Sequence, residues 1–204
     1  MYTGIVQTKL PVKILEKKPG LVRLTFEFTD KLMSDLTIGA SVSVSGVCLT
    51  VAGIDGSNIV FDAMQETCDL TSLGRIKEGD VANIERSLKM GDEVGGHPMS
   101  GHIFGTAEIV GIEKPENNHV ITLKVLVASM KYILHKGFIG LDGCSLTVVS
   151  PNKNEGTFSV HLIPETLRIT TFGEKRVGDL INLELDSQAQ TIVETVERVL
   201  LERV

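Results

Sequence analysis

The chain states one passage twice. Gly39-Ala-Ser-Val-Ser-Val-Ser-Gly-Val-Cys-Leu-Thr-Val51 returns as Lys136-Gly-Phe-Ile-Gly-Leu-Asp-Gly-Cys-Ser-Leu-Thr-Val148, and setting Gly46 on Gly143 gives an offset of 97 residues. Leu49, Thr50 and Val51 then fall on Leu146, Thr147 and Val148, while Cys48 falls on Ser145. The same offset places Thr3-Gly-Ile-Val on Ser100-Gly-His-Ile. After a short insertion near Asn152-Lys-Asn-Glu-Gly the offset becomes 99, which pairs Glu66-Thr67 with Glu165-Thr166, Leu73-Gly74 with Phe172-Gly173, Gly79-Asp80 with Gly178-Asp179, and Asn83-Ile-Glu with Asn182-Leu-Glu. A chain of 204 residues built this way is two small domains of one kind, residues 1–97 and 98–186, followed by an unrepeated tail, 187–204.

Each copy reads as short strands. Gly4-Ile-Val-Gln, Val12-Lys-Ile-Leu and Leu21-Val-Arg-Leu-Thr-Phe-Glu-Phe are strand-like, and Val42-Ser-Val-Ser, Cys48 to Ile54, Asn58 to Met64 and Val81 to Arg86 follow. Ser45-Gly46 and Asp55-Gly56 are the tight turns between them. Glu66 to Gly74 is a short helix or turn, and Lys77-Glu-Gly-Asp a loop. A domain of about six short strands must hide its edges, which favours a small Greek-key barrel over an open sandwich. The fold class is mainly all-β, two tandem similar barrels with short helices. The tail differs: Ala189, Ile192, Val193, Val196, Val199 and Leu200 recur at helical spacing opposite Glu194, Glu197, Arg198 and Glu202. This amphipathic helix either lids its own domain or serves assembly, and a stripe running to the last residues favours assembly.

Composition narrows the function classes. A formal charge of -6 with scattered lysines and arginines gives no surface for a polyanion, so nucleic acid is not expected as a partner. No apolar run is long enough for a membrane span and no leader-type segment stands at Met1, so a cytoplasmic protein is expected. Cys48, Cys68 and Cys144 have neither disulfide nor zinc spacing, and reduced thiols are the default. The Gly-rich stretch Lys89 to His102 leads into another β-like segment and lacks the strand-to-helix context of a dinucleotide fingerprint.

Several residues have both a bland and a chemical reading. Cys48 in an apolar strand is a small hydrophobe, but its copy Ser145 is a different nucleophile type, so the halves offer similar pockets with different reactive groups. Thr50 and Thr147 are strand threonines or ligand hydrogen-bonders. Glu66 and Glu165 cap short helices or touch ligand. Gly4 and Gly101 turn the chain or allow close backbone approach. His97 and His102 lack a third metal ligand nearby, whereas His102 lies in a repeated segment and suits proton transfer. Lys136 and Asp142 flank the second copy, as solvated charges or as groups that orient a substrate. Two like pockets differing in chemistry suit two identical molecules that leave as different products, and Ser45 against Asp142 and Asp62 against His161 add to the difference.

Met1-Tyr-Thr-Gly-Ile-Val6, Gly46-Val-Cys-Leu-Thr-Val51, Gly95-Gly-His-Pro-Met-Ser-Gly-His102, Lys131-Tyr-Ile and Lys136-Gly-Phe-Ile-Gly-Leu-Asp-Gly together resemble riboflavin synthase of the alpha-chain type, over essentially the whole chain. The resemblance implies two similar six-stranded barrels, a C-terminal helix that assembles a homotrimer, and a site between the N-terminal barrel of one subunit and the C-terminal barrel of the next. The implied reaction is a dismutation of two 6,7-dimethyl-8-ribityllumazine molecules into riboflavin and 5-amino-6-ribitylamino-uracil, without cofactor or metal, and association with lumazine synthase is a further implied partnership. Catalytic positions carried over are Cys48, His102 and Ser145. Ligand positions carried over in the first half are Gly4, Ile5, Val6, Leu49, Thr50, Asp62, Ala63, Met64, Gln65, Glu66 and Thr67. Those in the second half are Gly101, Ile103, Lys136, Leu146, Thr147, His161, Leu162, Ile163, Pro164, Glu165 and Thr166. Tyr2 stands where the family usually has phenylalanine and Ser45 where it has asparagine, and neither departure falls on Cys48, His102, Lys136 or Ser145. The alternative is a fluorescent antenna of the same fold that binds a lumazine or flavin without turnover. Both copies keep Cys/Ser-Leu-Thr and Glu-Thr, which favours the enzyme.

Overall fold

A computed structural model describes residues 1–116 and 118–202. The first half holds β1 (Thr8–Lys18), β2 (Leu21–Glu27), a single helical turn α1 (Asp30–Met33), β3 (Ser41–Val44), β4 (Val47–Asp55), β5 (Asn58–Met64), α2 (Gln65–Leu70) and β6 (Val81–Arg86). These six strands close a barrel in the order β1-β2-β5-β4-β3-β6, all neighbours antiparallel. Alternation explains the closure. Along β5 the side chains of Ile59, Phe61 and Ala63 are buried while their neighbours are not, and Phe26 meets Phe61 edge to face at 6.1 Å inside.

The second half repeats the plan with β7 (Gly105–Glu113), β8 (His119–Lys124), β9 (Phe138–Leu141), β10 (Cys144–Thr147), β11 (Val149–Asn152), β12 (Thr157–Leu162), α3 (Pro164–Ile169) and β13 (Leu180–Leu185). Its sheet runs β10-β9-β13-β7-β8-β12-β11. A sixth strand became two, because the counterpart of β4 breaks at Val148, followed by Ser150 at φ 48° and by Pro151, which has no N–H to offer a ladder. The two edge strands are thus consecutive pieces of one stretch, and the sheet curls round on itself about Ile109, Ile121, Leu123, Phe158 and Phe172. β4 carries a bulge at the same place, between Val51 and Gly53.

The repeated turns touch one another. Ser45 and Gly46 have φ of 47° and 85°, and Asp142 and Gly143 of 44° and 83°, which is the type I′ signature of a two-residue hairpin. A Cβ on Gly46 would lie 2.7 Å from the Gly143 nitrogen, and one on Gly143 2.9 Å from the Gly46 nitrogen. Crossed hydrogen bonds seal this junction. Asn83 Nδ2 donates to the Asp142 carbonyl and its Oδ1 accepts from Thr171 N–H, while Asn182 Nδ2 donates to the Ser45 carbonyl and its Oδ1 accepts from Ser72 N–H, all within 2.7–2.9 Å. Gly46→Ala is expected to lower stability by about 3 kcal/mol or more, through strain at positive φ plus the backbone collision, read as a shifted denaturation midpoint at unchanged slope.

Helix α4 (Ser187–Leu201) starts where Asp186 accepts from the N–H groups of Gln188 and Ala189. Residues 203–204 of the expected 187–204 helix lie outside the described residues. Val193 packs on the second core, Glu194 accepts from the Tyr132 hydroxyl and Glu197 pairs with Lys131. Ile192, Val196, Leu200 and Leu201 stay exposed. No helix among the described residues is long and apolar enough to cross a membrane.

Candidate functional site

Residues 4–7, expected as a strand, form no ladder; they belong to an arm that crosses between the barrels. Tyr2 and Met99 exchange two backbone hydrogen bonds, and there the two arms pass each other. Beyond the crossing, the Gly4 carbonyl accepts from Ser145 N–H at 2.8 Å and Val6 enters the second core. Symmetrically, the Gly101 carbonyl accepts from Cys48 N–H at 2.9 Å and Ile103 enters the first core. Each arm is pinned by a carboxylate of its own barrel. Glu85 on β6 accepts from Thr3 N–H, Thr3 Oγ1–H and Gly4 N–H at 2.7, 2.8 and 3.2 Å. Glu184 on β13 accepts from Ser100 N–H, Ser100 Oγ–H and Gly101 N–H at 2.6, 2.9 and 3.1 Å. Burial raises both carboxyl groups above the ordinary glutamate range, outweighing the donors around them.

Sequence order therefore groups the candidates by half, and the fold regroups them crosswise. Gly4 lies against Ser145 with Ile5 next along its arm, whereas Gly101 lies against Cys48 with His102 next along its own. Gly4 and Gly101 both need their missing side chains, since a Cβ would stand 2.5 Å from the Cβ of Ser145 or of Cys48.

In the first wall Cys48 is half-buried on β4, Thr50 points outward two residues on, and His102 is exposed on the arm above. The Tyr2 hydroxyl donates to Cys48 Sγ at 3.1 Å. The departure at Tyr2 thus lands on Cys48 after all, because the arm folds its ring back over β4. Burial, with Cys48 adding to it, holds the Tyr2 phenol protonated. Asp62 is held by Arg23 through two bonds of 2.7 and 2.8 Å, which keeps its carboxyl below the usual range. Met64 and Gln65 are exposed, and Glu66 and Thr67 sit in the first turn of α2.

In the second wall Ser145 is half-buried on β10 and Thr147 exposed. His97 Nδ1 lies 2.6 Å from Ser145 Oγ. His161 meets Asn118 Nδ2 at 2.8 Å, Ile163 and Pro164 are exposed, and Arg168 holds Glu165 through two bonds and lowers its carboxyl. Thr166 follows, half-buried, and Lys136 is exposed at φ 63°. Neither Glu66 nor Glu165 caps its helix; both lie in the first turn, where a carboxylate suits the helix dipole. Leu49, Ala63, Leu162, Val6 and Ile103 are buried in the cores, so they offer a ligand only backbone, and Leu146 packs against the second core.

Tyr2, Glu85 and Glu184 are not among the candidates, and His97 enters them only as half of a disfavoured metal pair. Glu85 and Glu184 did carry a signal, a matched glutamate in an otherwise apolar closing strand. The disfavoured His97–His102 metal pairing is not formed, since His97 goes to Ser145; among the described residues no three acidic, histidine or cysteine side chains cluster as for a metal ion. All three cysteines are free. A cleft of about 570 Å³ between the barrels is lined by Ser45, Arg75, Asp142 and Lys175 among others; Asp142, weighed as a substrate-orienting charge, lies there, and none of the ligand positions carried over from the resemblance does. Both walls are open faces of the single chain.

The lumazine binding domain family matches residues 3–87 and again 100–186. The chain is 50% identical to riboflavin synthase of Escherichia coli (strain K12), covering 100% of this chain and 95% of that protein. It is 43% identical to riboflavin synthase of Chlamydia pneumoniae, with 98% and 97% covered. The solved structure of LumP complexed with riboflavin superposes with a TM-score of 0.83 at 24% identity, over 92% of this chain and 100% of that one, a likeness of fold.

Proposed function

The chain belongs to the riboflavin synthase family, and on that premise we propose that it dismutates two molecules of 6,7-dimethyl-8-ribityllumazine into riboflavin and 5-amino-6-ribitylamino-uracil. The observation that carries this reading is the pair of matched walls, alike in backbone and unlike at Cys48 and Ser145. Two identical molecules can be seated alike and still be treated differently. One lumazine gives up a proton from its C7 methyl group and becomes the carbon nucleophile; the other receives the attack on its ring, and a four-carbon unit passes between them. The protein contributes proximity, orientation and proton transfer.

Each wall lies open in one chain, which supports a site completed by a second subunit, the first wall of one against the second wall of the next. The apolar stripe of α4 supports a trimer as the assembly. In this arrangement Cys48 and Ser145 hold or activate the two rings, His102 moves protons, and Thr50, Thr147, Glu66 and Glu165 meet ring or ribityl groups. The test is turnover of the lumazine by the purified protein alone. Appearance of riboflavin and the diaminouracil in equal amounts is expected. Cys48→Ala and His102→Gln are each expected to reduce kcat by about 10²-fold or more while leaving the denaturation midpoint nearly unchanged. Wild-type turnover in both variants would remove these residues from the chemistry.

A further inference from the structure

The two walls differ by more than cysteine against serine. Ser145 has a histidine partner, whereas the partner of Cys48 is the Tyr2 hydroxyl. His97 is placed with care. The residue is 4% exposed, its ring stacks on Phe138 at 4.9 Å and 12°, its backbone N–H donates to the Thr3 carbonyl, and the preceding Gly96 has no room for a side chain against Thr3 and Ser145. Nδ1 lies 2.6 Å from Ser145 Oγ, and Nε2 is buried with no hydrogen-bond partner among the described residues.

Burial favours the neutral imidazole, and the Asp186 carboxylate opposes this only in part. A neutral imidazole carries one N–H. Were it on Nε2, a buried donor would stand without an acceptor, which is rarer and costlier than an unpaired lone pair. With the proton on Nδ1, the ring donates to Ser145 Oγ and only a lone pair is left buried. Ser145 then has its own hydroxyl proton to give, and the half-exposed side of the residue is the wall itself.

We infer that His97 is a positioning residue: its Nδ1–H donates to Ser145 Oγ and fixes Ser145 as a hydrogen-bond donor toward an acceptor atom of the bound heteroaromatic ring. This rests on the reading that Ser145 meets a lumazine. Ser145 is then not a nucleophile, because a hydroxyl activated for attack needs a base that accepts its proton, and the ring nitrogen beside it is already protonated. The first wall has the same polarity from a different donor, with Cys48 Sγ accepting from the Tyr2 hydroxyl.

The tautomer is read directly by long-range ¹⁵N–¹H correlation on the full-length ¹⁵N-labelled protein at neutral pH, with His97 assigned by its absence in His97→Asn. Protonated Nδ1 and bare Nε2 are expected; protonated Nε2 overturns the inference. Turnover gives the second reading. Asparagine places an N–H near the position of Nδ1, whereas leucine does not, so His97→Leu should lose about tenfold in kcat with a smaller change in KM, and His97→Asn should recover most of it. The double variant His97→Leu with Ser145→Ala should be no slower than Ser145→Ala alone. Full kcat in His97→Leu, or asparagine no better than leucine, sinks the positioning role. If the unaltered protein makes no riboflavin, the proposed reaction falls, while the nitrogen spectrum still decides the tautomer.

Discussion

Ending the chain after Asp186 is expected to give monomers whose turnover is lower by at least about a hundredfold, because the site proposed between subunits would lose the proximity of its two reactants. The two barrels should survive this, since of the helix only Val193 packs on the second core, with Tyr132 and Lys131 tied to Glu194 and Glu197 at its edge. What is removed is the unpartnered stripe, with Ile192 63%, Val196 51% and Leu200 59% exposed. Burying a large aliphatic side chain contributes about 1.5 to 3 kcal/mol, so half-burying four or five on α4 supplies on the order of 5 kcal/mol per subunit toward assembly. Sedimentation and the riboflavin assay on one preparation decide the matter. A truncated chain that sediments as a monomer and retains full turnover would show the site to be complete within one subunit.

The second large effect is expected from Glu85→Gln. Every group aimed at that carboxylate is a donor, so whichever way the amide is turned its NH₂ faces an N–H or O–H. The expected loss is about 1 to 3 kcal/mol, with reduced turnover because the arm that lines the Ser145 wall loosens. Glu184→Gln should act alike on the arm over Cys48. The pH dependence has a definite sign. Both carboxyls are raised by burial, so the folded chain binds more protons than the unfolded one as pH climbs from the ordinary value of 4.5. Their contribution is whole below that value and declines as pH rises through the raised one. Denaturant midpoints measured across this window should fall less steeply in the double variant than in the unaltered protein; equal slopes would argue that the two carboxylates titrate normally.

Much of this architecture is written in the sequence because duplication makes each half a check on the other. Paired Gly46 and Gly143 gave the turns, alternation gave β3 to β6, and helical spacing gave α4. Partner choice is what alternation does not record. Gly4 to Val6 reads as strand from its apolar residues, yet its carbonyl and side chains are spoken for by Ser145 and the far core. The break at Val148 lies by Ser150 and Pro151, just before the insertion near Asn152, where the repeat itself records only a change of offset. The pairing of His97 with Ser145 is not legible for the reason that makes it informative, since a repeat highlights only what occurs twice. Matched Asn83 and Asn182 were visible as repetition, while their hydrogen bonds to the opposite hairpin became visible only once the turns met.

The crossing of the arms also bears on how the chain reaches this state. The first core is completed by Ile103 and the second by Val6, so neither barrel can finish alone. During synthesis the leading half must wait, incompletely packed, until residue 103 has left the ribosome, and the trailing half then draws on Val6, made well before it. Contacts of such sequence separation slow folding but bind the two halves into one cooperative unit. A repeat that looks like two beads on a string should melt as one.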